Sequence, residues 1–561
     1  MKKIISILLL FATHQLLMAQ SVGIGTTSPN ASAQLDVTST TKGMLVPRML
    51  SAQRTAITTP ALGLLVFDNT TNTFWFYNGT AWIELTTGSS SPGWALTGNT
   101  GAADGTSFIG TLTDIPLSFR QNNISIGRLD ASKNNVFLGD LAGGGTETVN
   151  NTMIGDHAGY SHFGVGIGFN TFIGSQAGYS NSTATDNTYI GSSAGYSNIT
   201  STGNTMIGKD AGNKNTAANN TFIGHNAGAL NTIGTDNVFV GKEAGVSNST
   251  GTGNTFIGKM AGKLNTTGYE NTVHGSNALY FNTTGFDNAA NGFQALYSNT
   301  TGFANTAIGH QSLFSNTTGF RNTAVGYQSL NSNLDGDYST ALGYYALNKN
   351  TGTGNTAAGS LSLAANTTGE DNTGLGNLTL YINSTGYRNT ASGSEALYSN
   401  NTGHDNTANG SKALRNNQTG TNNTANGTYA LFGNSTGSYN TANGYRALYN
   451  NNADGNCATG SQAMNSNTTG ISNTSNGTSA LYFNSTGNRN TAVGIEALYT
   501  NTSGSSNTAI GNLALHNLSN TDGNTALGGY TLRFSTGNWN TALGYNALIN
   551  VTTGSNNIGI G

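Results

Sequence analysis

The alternation of apolar and polar positions changes character near residue 134. Upstream, LLVFDNTTNTFWFYNGTAWIEL (residues 64–85) alternates around DNTTN and again around Asn78-Gly79, a dipeptide that readily takes positive φ at both turn positions. This stretch predicts β-hairpins in a small β-rich head or adaptor, with GSSSPG at 88–93 as a hinge. From Asn135 a single phrase recurs, most often as N-T-A-(I/V/N)-G-x-x-A-L-x-x-N-T-T-G-x-x, whose places are numbered here as positions 1 to 17. It fills 25 repeats of almost invariably 16 or 17 residues, and a partial one opens at 557. That period is too short for a two-helix or propeller unit and suits one coil of a β-solenoid. Two short strand-forming pieces, each followed by glycine, predict strand, turn, strand, turn in every coil.

Proline supports this division. Pro29, Pro47, Pro60, Pro92 and Pro116 all precede the repeats, where every coil needs its amides for the ladder to the next. The chain is therefore expected to be all-β: a signal segment over 1–19, a β-rich region over 20–134 and a repetitive β-solenoid, a parallel β-roll, over 135–561.

The repeats can be compared with one another. In the first eight coils position 3 is large, as in Phe172 and Phe239, while position 9 is glycine, as in Gly178 and Gly245. Later the pair inverts to Ala307 with Leu313, or Ala526 with Leu532. A constant volume shared between two sites predicts that positions 3 and 9 meet inside the coil. Position 4 points the other way along a strand and is nevertheless often apolar, as in Ile173, Ile308 and Leu543. Either the coil is narrow enough to enclose both rows, or neighbouring chains pack along position 4, and the second reading is preferred. Asn291, Asn409, Asn426, Asn443 and Asn476 share that position and predict asparagine ladders there.

Composition removes several functions. Only 8% of residues are charged, the net charge is -3, and 21 Lys and Arg are spread along the chain, which excludes a phosphate-binding surface for nucleic acid. MKKIISILLLFATHQLLMAQ has the basic start, apolar run and small residue at Ala19 of a secretory signal, so export without membrane insertion is expected.

Chemistry-bearing constellations do not emerge. His157, His162, His225, His274, His310, His404 and His516 are scattered over several repeat positions and read as solvated surface residues. Cys457 stands where threonine usually occupies position 2 and reads as a substituted ladder residue. Gly164, Gly166 and Gly168 fall in the one 19-residue repeat and read as an irregular coil. The Asn-x-Ser/Thr triplets read as turn chemistry. No catalytic, metal or cofactor-binding residue is singled out, no cofactor is expected, and the ligand-binding residues are not specified.

NTAIGHQSL, NTAVGYQSL and NTALGYNAL resemble the head repeats of trimeric (YadA-like) autotransporter adhesins and repeats of phage tail-fibre-like proteins. SVGIGTTSPNASAQLDV, KGMLVPRM and LGLLVFDNTTN are similar to the start of secreted surface proteins of Bacteroidota that carry such repeats. The resemblance implies a trimeric, left-handed parallel β-roll that binds host or matrix surfaces. The period is longer than in that family, and no coiled coil or membrane barrel follows the repeats, so export through the chain's own barrel is not expected. The function expected is a secreted or surface-exposed, rod-like adhesin or fibre, a homotrimer binding host, matrix or glycan surfaces multivalently without catalysis. The alternative is an ice-binding solenoid, since threonine holds position 2 in 21 of the 25 coils. A tail-spike enzyme with two distant acids ranks third.

Overall fold

The computed structural model describes residues 21–85, 109–145 and 147–561, so the expected signal segment and the 88–93 hinge lie outside the described residues. The chain forms two compact units, residues 1–110 and 111–561.

In the first unit β1 (Val22–Ile24) pairs in parallel with β2 (Leu35–Val37). A second sheet joins β3 (Arg48–Met49), β4 (Leu65–Asp68), β5 (Thr73–Tyr77) and β6 (Trp82–Glu84) in that order. β4–β5 and β5–β6 are the two antiparallel hairpins that the alternation predicts. The second turn differs in detail. Gly79 alone takes the left-handed region, at φ 95°, while Asn78 Oδ1 accepts the N–H groups of Thr80 and Ala81 and closes the loop as an Asx turn.

A polar knot holds this sheet to the short helix Ser51–Thr55. Arg54 Nε donates to buried Asp68 Oδ2 at 2.9 Å, and its guanidinium lies 3.7 Å from the centre of a Trp75 ring. Burial pushes the Asp68 carboxyl up, but hydrogen bonds from Arg54, the Ser51 hydroxyl and the Thr70 and Thr71 amides outweigh it and hold the group well below the usual carboxylate range.

In the second unit β7 (Leu117–Gln121) and β8 (Ile124–Asp130) form an antiparallel hairpin whose second strand pairs with the first rung, Asn135–Leu138. Every later repeat adds one three-residue rung at positions 2 to 4, parallel and in register with its neighbours, from Thr152–Ile154 to Ile558–Ile560. The predicted parallel β-solenoid is present, but the second strand forms only in the coils opening at Asn135 and Asn151, as Glu147–Val149 and Val165–Ile167; every later coil has one strand. The one-strand coils turn at positions 7, 9 and 17. In the coil opening at Asn305 these are Gln311 (φ 53°), Leu313 (φ 49°) and Arg321 (φ 53°), and left-handed residues break an extended run. Backbone pairing continues around the turns even so: Leu313 N–H donates to Ser329 O at 3.0 Å and Ser315 N–H to Asn331 O at 2.9 Å in the next coil.

The interior is narrow and half polar. Positions 3, 8 and 9 supply the apolar part, as in Ala307, Ser312 or Ala295, and Leu313. Positions 1 and 12 supply two buried columns of asparagine. In the first column Asn254 N–H donates to Asn237 Oδ1 (2.9 Å) and Asn254 Nδ2 to Gly268 O (2.8 Å), the position-15 carbonyl of its own coil. In the second, Asn265 Nδ2 donates to Asn248 Oδ1 (2.7 Å) and also to Gly268 O (2.9 Å). A buried amide is tolerated only when its donors and acceptors are used, and stacking identical coils uses them.

Positions 3 and 9 do meet. A methyl placed on Gly178 would lie 2.7 Å from Phe172 Cε2, and one on Gly245 would lie 2.6 Å from Phe239 Cε2. In the later coils a methyl on Gly374, at position 3, would lie 3.4 Å from Leu363 Cδ1 of the preceding coil. A small parallel ladder joins Glu147–Val149 of the first coil to Val165–Ile167 of the 19-residue repeat.

Candidate functional site

Strand alternation places positions 2 and 4 together on the outside of each rung. Position 4 is surface: Ile308, Leu342, Leu375 and Ile510 are each more than two-fifths exposed, which removes the reading with both rows enclosed. Seven consecutive rungs carry a β-branched apolar residue there, from Ile154 to Ile257, before His274 and Asn291 interrupt the row. The asparagine ladder expected at position 4 is present as one link, Asn426 Nδ2 to Asn443 Oδ1 at 2.8 Å. The extended asparagine ladders are the internal ones at positions 1 and 12, so the triplets that read as turn chemistry hold buried amides.

Beside these rows lies position 2. The threonines here, Thr171, Thr188, Thr306 and their equivalents, are partly exposed and use no hydroxyl hydrogen bond among the described residues. Cys457 takes the same place in the rung Cys457–Thr459 and is exposed, as a substituted ladder residue would be.

Three aromatic columns line the turns, a feature the repeat consensus hides because positions 6, 10 and 16 vary. Position 16 stacks Tyr269, Phe286, Phe303 and Phe320 with centroids 4.8 to 4.9 Å apart. Position 6 stacks Phe293, His310, Tyr327 and Tyr344 at 5.1 to 5.6 Å. Position 10 stacks Tyr160, Tyr179 and Tyr196, and resumes in later coils. Within a column the ring faces are spent on one another and only edges meet solvent. A column therefore offers a face to a ligand only at its ends.

The histidines divide. His310 stays in the exposed position-6 stack, but His162 does not belong to the solvated surface expected of it. It occupies position 12 and is 1% exposed; Nδ1 faces Asn181 Oδ1 at 2.9 Å and Nε2 faces Thr148 Oγ1 at 2.9 Å. Burial pushes its pKa below the ordinary value, against the Asn181 hydrogen bond. Asparagine normally holds that place, so the position number was the signal.

The first unit exposes an apolar group instead of a ladder. Met44, Leu45, Leu62 and Phe74 are 60%, 75%, 76% and 44% exposed. Met44, Leu45, Val46, Arg48, Phe67 and Phe74 line a hollow of about 240 Å³. Among the described residues no three His, Cys, Asp or Glu side chains are grouped to hold a metal ion, and no helix is long and apolar enough to cross a membrane.

Residues 23–101 match a family model described as a phage tail like trimerisation region. That span contains the exposed apolar group and supports formation of a homotrimer. No curated protein and no solved structure matches the chain. A trimerisation region together with a solenoid of near-identical coils supports a phage tail-fibre-like repeat protein and fits a fibre or adhesin.

Proposed function

We propose that this chain is one of three in an exported surface fibre of the autotransporter-adhesin or tail-fibre type, which attaches to host, matrix or glycan surfaces without turning over a substrate. The observation that carries the reading is the pairing of a trimerisation match with a solenoid whose outward rows repeat. The apolar hollow around Met44 and Phe74 supplies surface for three copies to share, and the position-4 row supplies more along the shaft. Identical turns spaced by about 4.8 Å let weak contacts sum when the target also repeats. Catalysis would need one pre-organised constellation, which near-identical coils do not offer.

Sedimentation should give a mass of three chains, and Met44→Asp with Phe74→Asp should lower it; a stable wild-type monomer at micromolar concentration overturns the trimer. Deleting the four coils 372–439 keeps the register and should weaken surface attachment by degrees.

The position-2 threonines favour a second reading. Their hydroxyls are free, regularly spaced and set beside apolar position-4 residues, an arrangement able to order water on one face. Thermal hysteresis in dilute solution would select this reading over attachment.

A further inference from the structure

The position-10 column has a gap one ring wide. Tyr381 stacks on Tyr398 with centroids 5.3 Å apart, the Arg415 guanidinium lies 4.8 Å from the Tyr398 ring and 6.0 Å from Phe432, and Phe432 stacks on Tyr449 at 5.1 Å. One face of Tyr381 is thus covered. On its other side the next position-10 residue is Ala364, which reaches no farther than its methyl, and beyond that is Asn348. Tyr381 and Asn348 are two coils apart, about 9.6 Å, which admits one ring in contact with both.

The space is a notch of about 400 Å³ lined by Tyr344, Tyr345, Asn348, Lys349, Leu361, Ala364 and Tyr381 among others, so its floor is apolar and its rim polar. Asn348 Nδ2 donates to Gln328 O at 2.9 Å, which leaves Oδ1 as an acceptor. Tyr344 is 52% exposed. Lys349 is exposed, and no acid pairs with it among the described residues.

We infer that the notch over Ala364 binds one carboxylated pyranose ring, a uronic-acid unit of a surface polysaccharide; this rests on the surface-binding reading above and gives it a place. The C–H face of a pyranose fits the open face of Tyr381, its hydroxyl edge fits Asn348 Oδ1 and the Tyr344 phenol, and its carboxylate fits the unpaired Lys349 ammonium. A protein aromatic ring would fill the gap but would leave the lysine and the amide unused. A neutral sugar would leave the lysine alone.

Calorimetric titration of the full chain with a mannuronate hexamer, and with cellohexaose for comparison, tests this. The uronate should bind the more tightly by roughly tenfold, and Lys349→Gln should abolish that preference. Ala364→Tyr inserts the missing ring of the column and should remove binding while melting temperature holds. Tyr381→Ala removes the stacking face and should weaken binding roughly tenfold, which keeps the test open if the tyrosine insertion fails to fold. No uronate binding by the wild type, unchanged binding by Ala364→Tyr, equal affinity for the neutral hexamer, or displacement only by an aromatic peptide each overturns the assignment. Attachment to cells or matrix is measured separately. If it persists where uronate binding is absent, the notch is removed and the fibre reading stands; if wild type never attaches, the titration still decides the notch.

Discussion

The first eight coils and the later ones share a backbone but fill it differently. Early coils place Phe172, Phe222, Phe239 or Phe256 at position 3 against glycine at position 9, and the rings stack from coil to coil, Phe239 on Phe256 at 4.9 Å. Later coils place alanine at position 3 and leucine at position 9. Position 9 is left-handed in both: Gly245 has φ 54° and Leu313 has φ 49°. Leucine is disfavoured there by ~1 kcal/mol or more relative to glycine, and burial of its side chain, worth ~1.5–3 kcal/mol, offsets that. The side chain can enter the coil from either side provided that only one of the two is large.

The sharpest way to break this comparison is at Phe239. Phe239→Ala should destabilise its neighbourhood by about 3–5 kcal/mol through the cavity left behind. Gly245→Leu alone should cost about 1–3 kcal/mol, because its first side-chain atom already falls within 2.6 Å of the ring. The double variant converts one early coil to the later pattern and should recover part of the summed loss. Amide hydrogen exchange of the coil is the readout, since a stacked array opens locally rather than all at once. Strictly additive effects would mean that the two positions do not share one space.

A second difference runs along the position-12 column and does not follow the boundary between the blocks. From Asn231 to Asn333 each amide donates to the one before it at 2.5 to 2.9 Å. Upstream of Asn231 the column is irregular: Asn198 turns to the Tyr189 hydroxyl, and Asn181 Nδ2 has no partner. Leu518 ends the column near the other end and leaves Asn501 Oδ1 unsatisfied. Asn299→Ala would strip the acceptor from Asn316 and the donor from Asn282, so a loss of about 3 kcal/mol is expected, read by thermal unfolding. Asn181→Ala should cost less, about 1 kcal/mol, because its amide is already half unpaired. Equal losses at the two sites would show that the ladder adds nothing beyond the single residue.

Much of the solenoid was legible because each coil is tested against its neighbours within one chain. The period, the outward position-4 row and the exchange of volume between positions 3 and 9 all follow from comparing repeats. The second strand forms only in the coils opening at Asn135 and Asn151; elsewhere the chain turns through left-handed residues such as Gln311, Leu313 and Arg321, which leave no mark in residue type. The buried asparagines were missed for a related reason: asparagine followed by threonine suits a turn as well as a ladder, and only stacking decides which. The notch over Ala364 was invisible to a consensus. It arises from one small residue at a variable position, and its meaning depends on Tyr381 one coil away.

His162 gives the smallest and most local contrast between the blocks, because it places a titratable ring where later coils have asparagine. Asn151 Nδ2 donates to Thr148 Oγ1 at 2.8 Å, that oxygen lies 2.9 Å from His162 Nε2, and His162 Nδ1 lies 2.9 Å from Asn181 Oδ1. Burial disfavours the charged ring and, against the Asn181 hydrogen bond, puts its folded pKa below the ordinary 6.5. The unfolded chain then binds the proton more readily than the folded one, so stability from this site is complete above about pH 6.5 and falls as pH drops toward the lowered folded value. Protection factors, which correct for the slower intrinsic exchange in acid, should fall in the coils around 151–186 on acidification through that window, while coils near Asn299 should show no matching change. His162→Asn installs the later-coil residue and should abolish the acid sensitivity with little effect at neutral pH. An acid response that survives this substitution would place the titrating group elsewhere and leave His162 as a neutral spacer in the column.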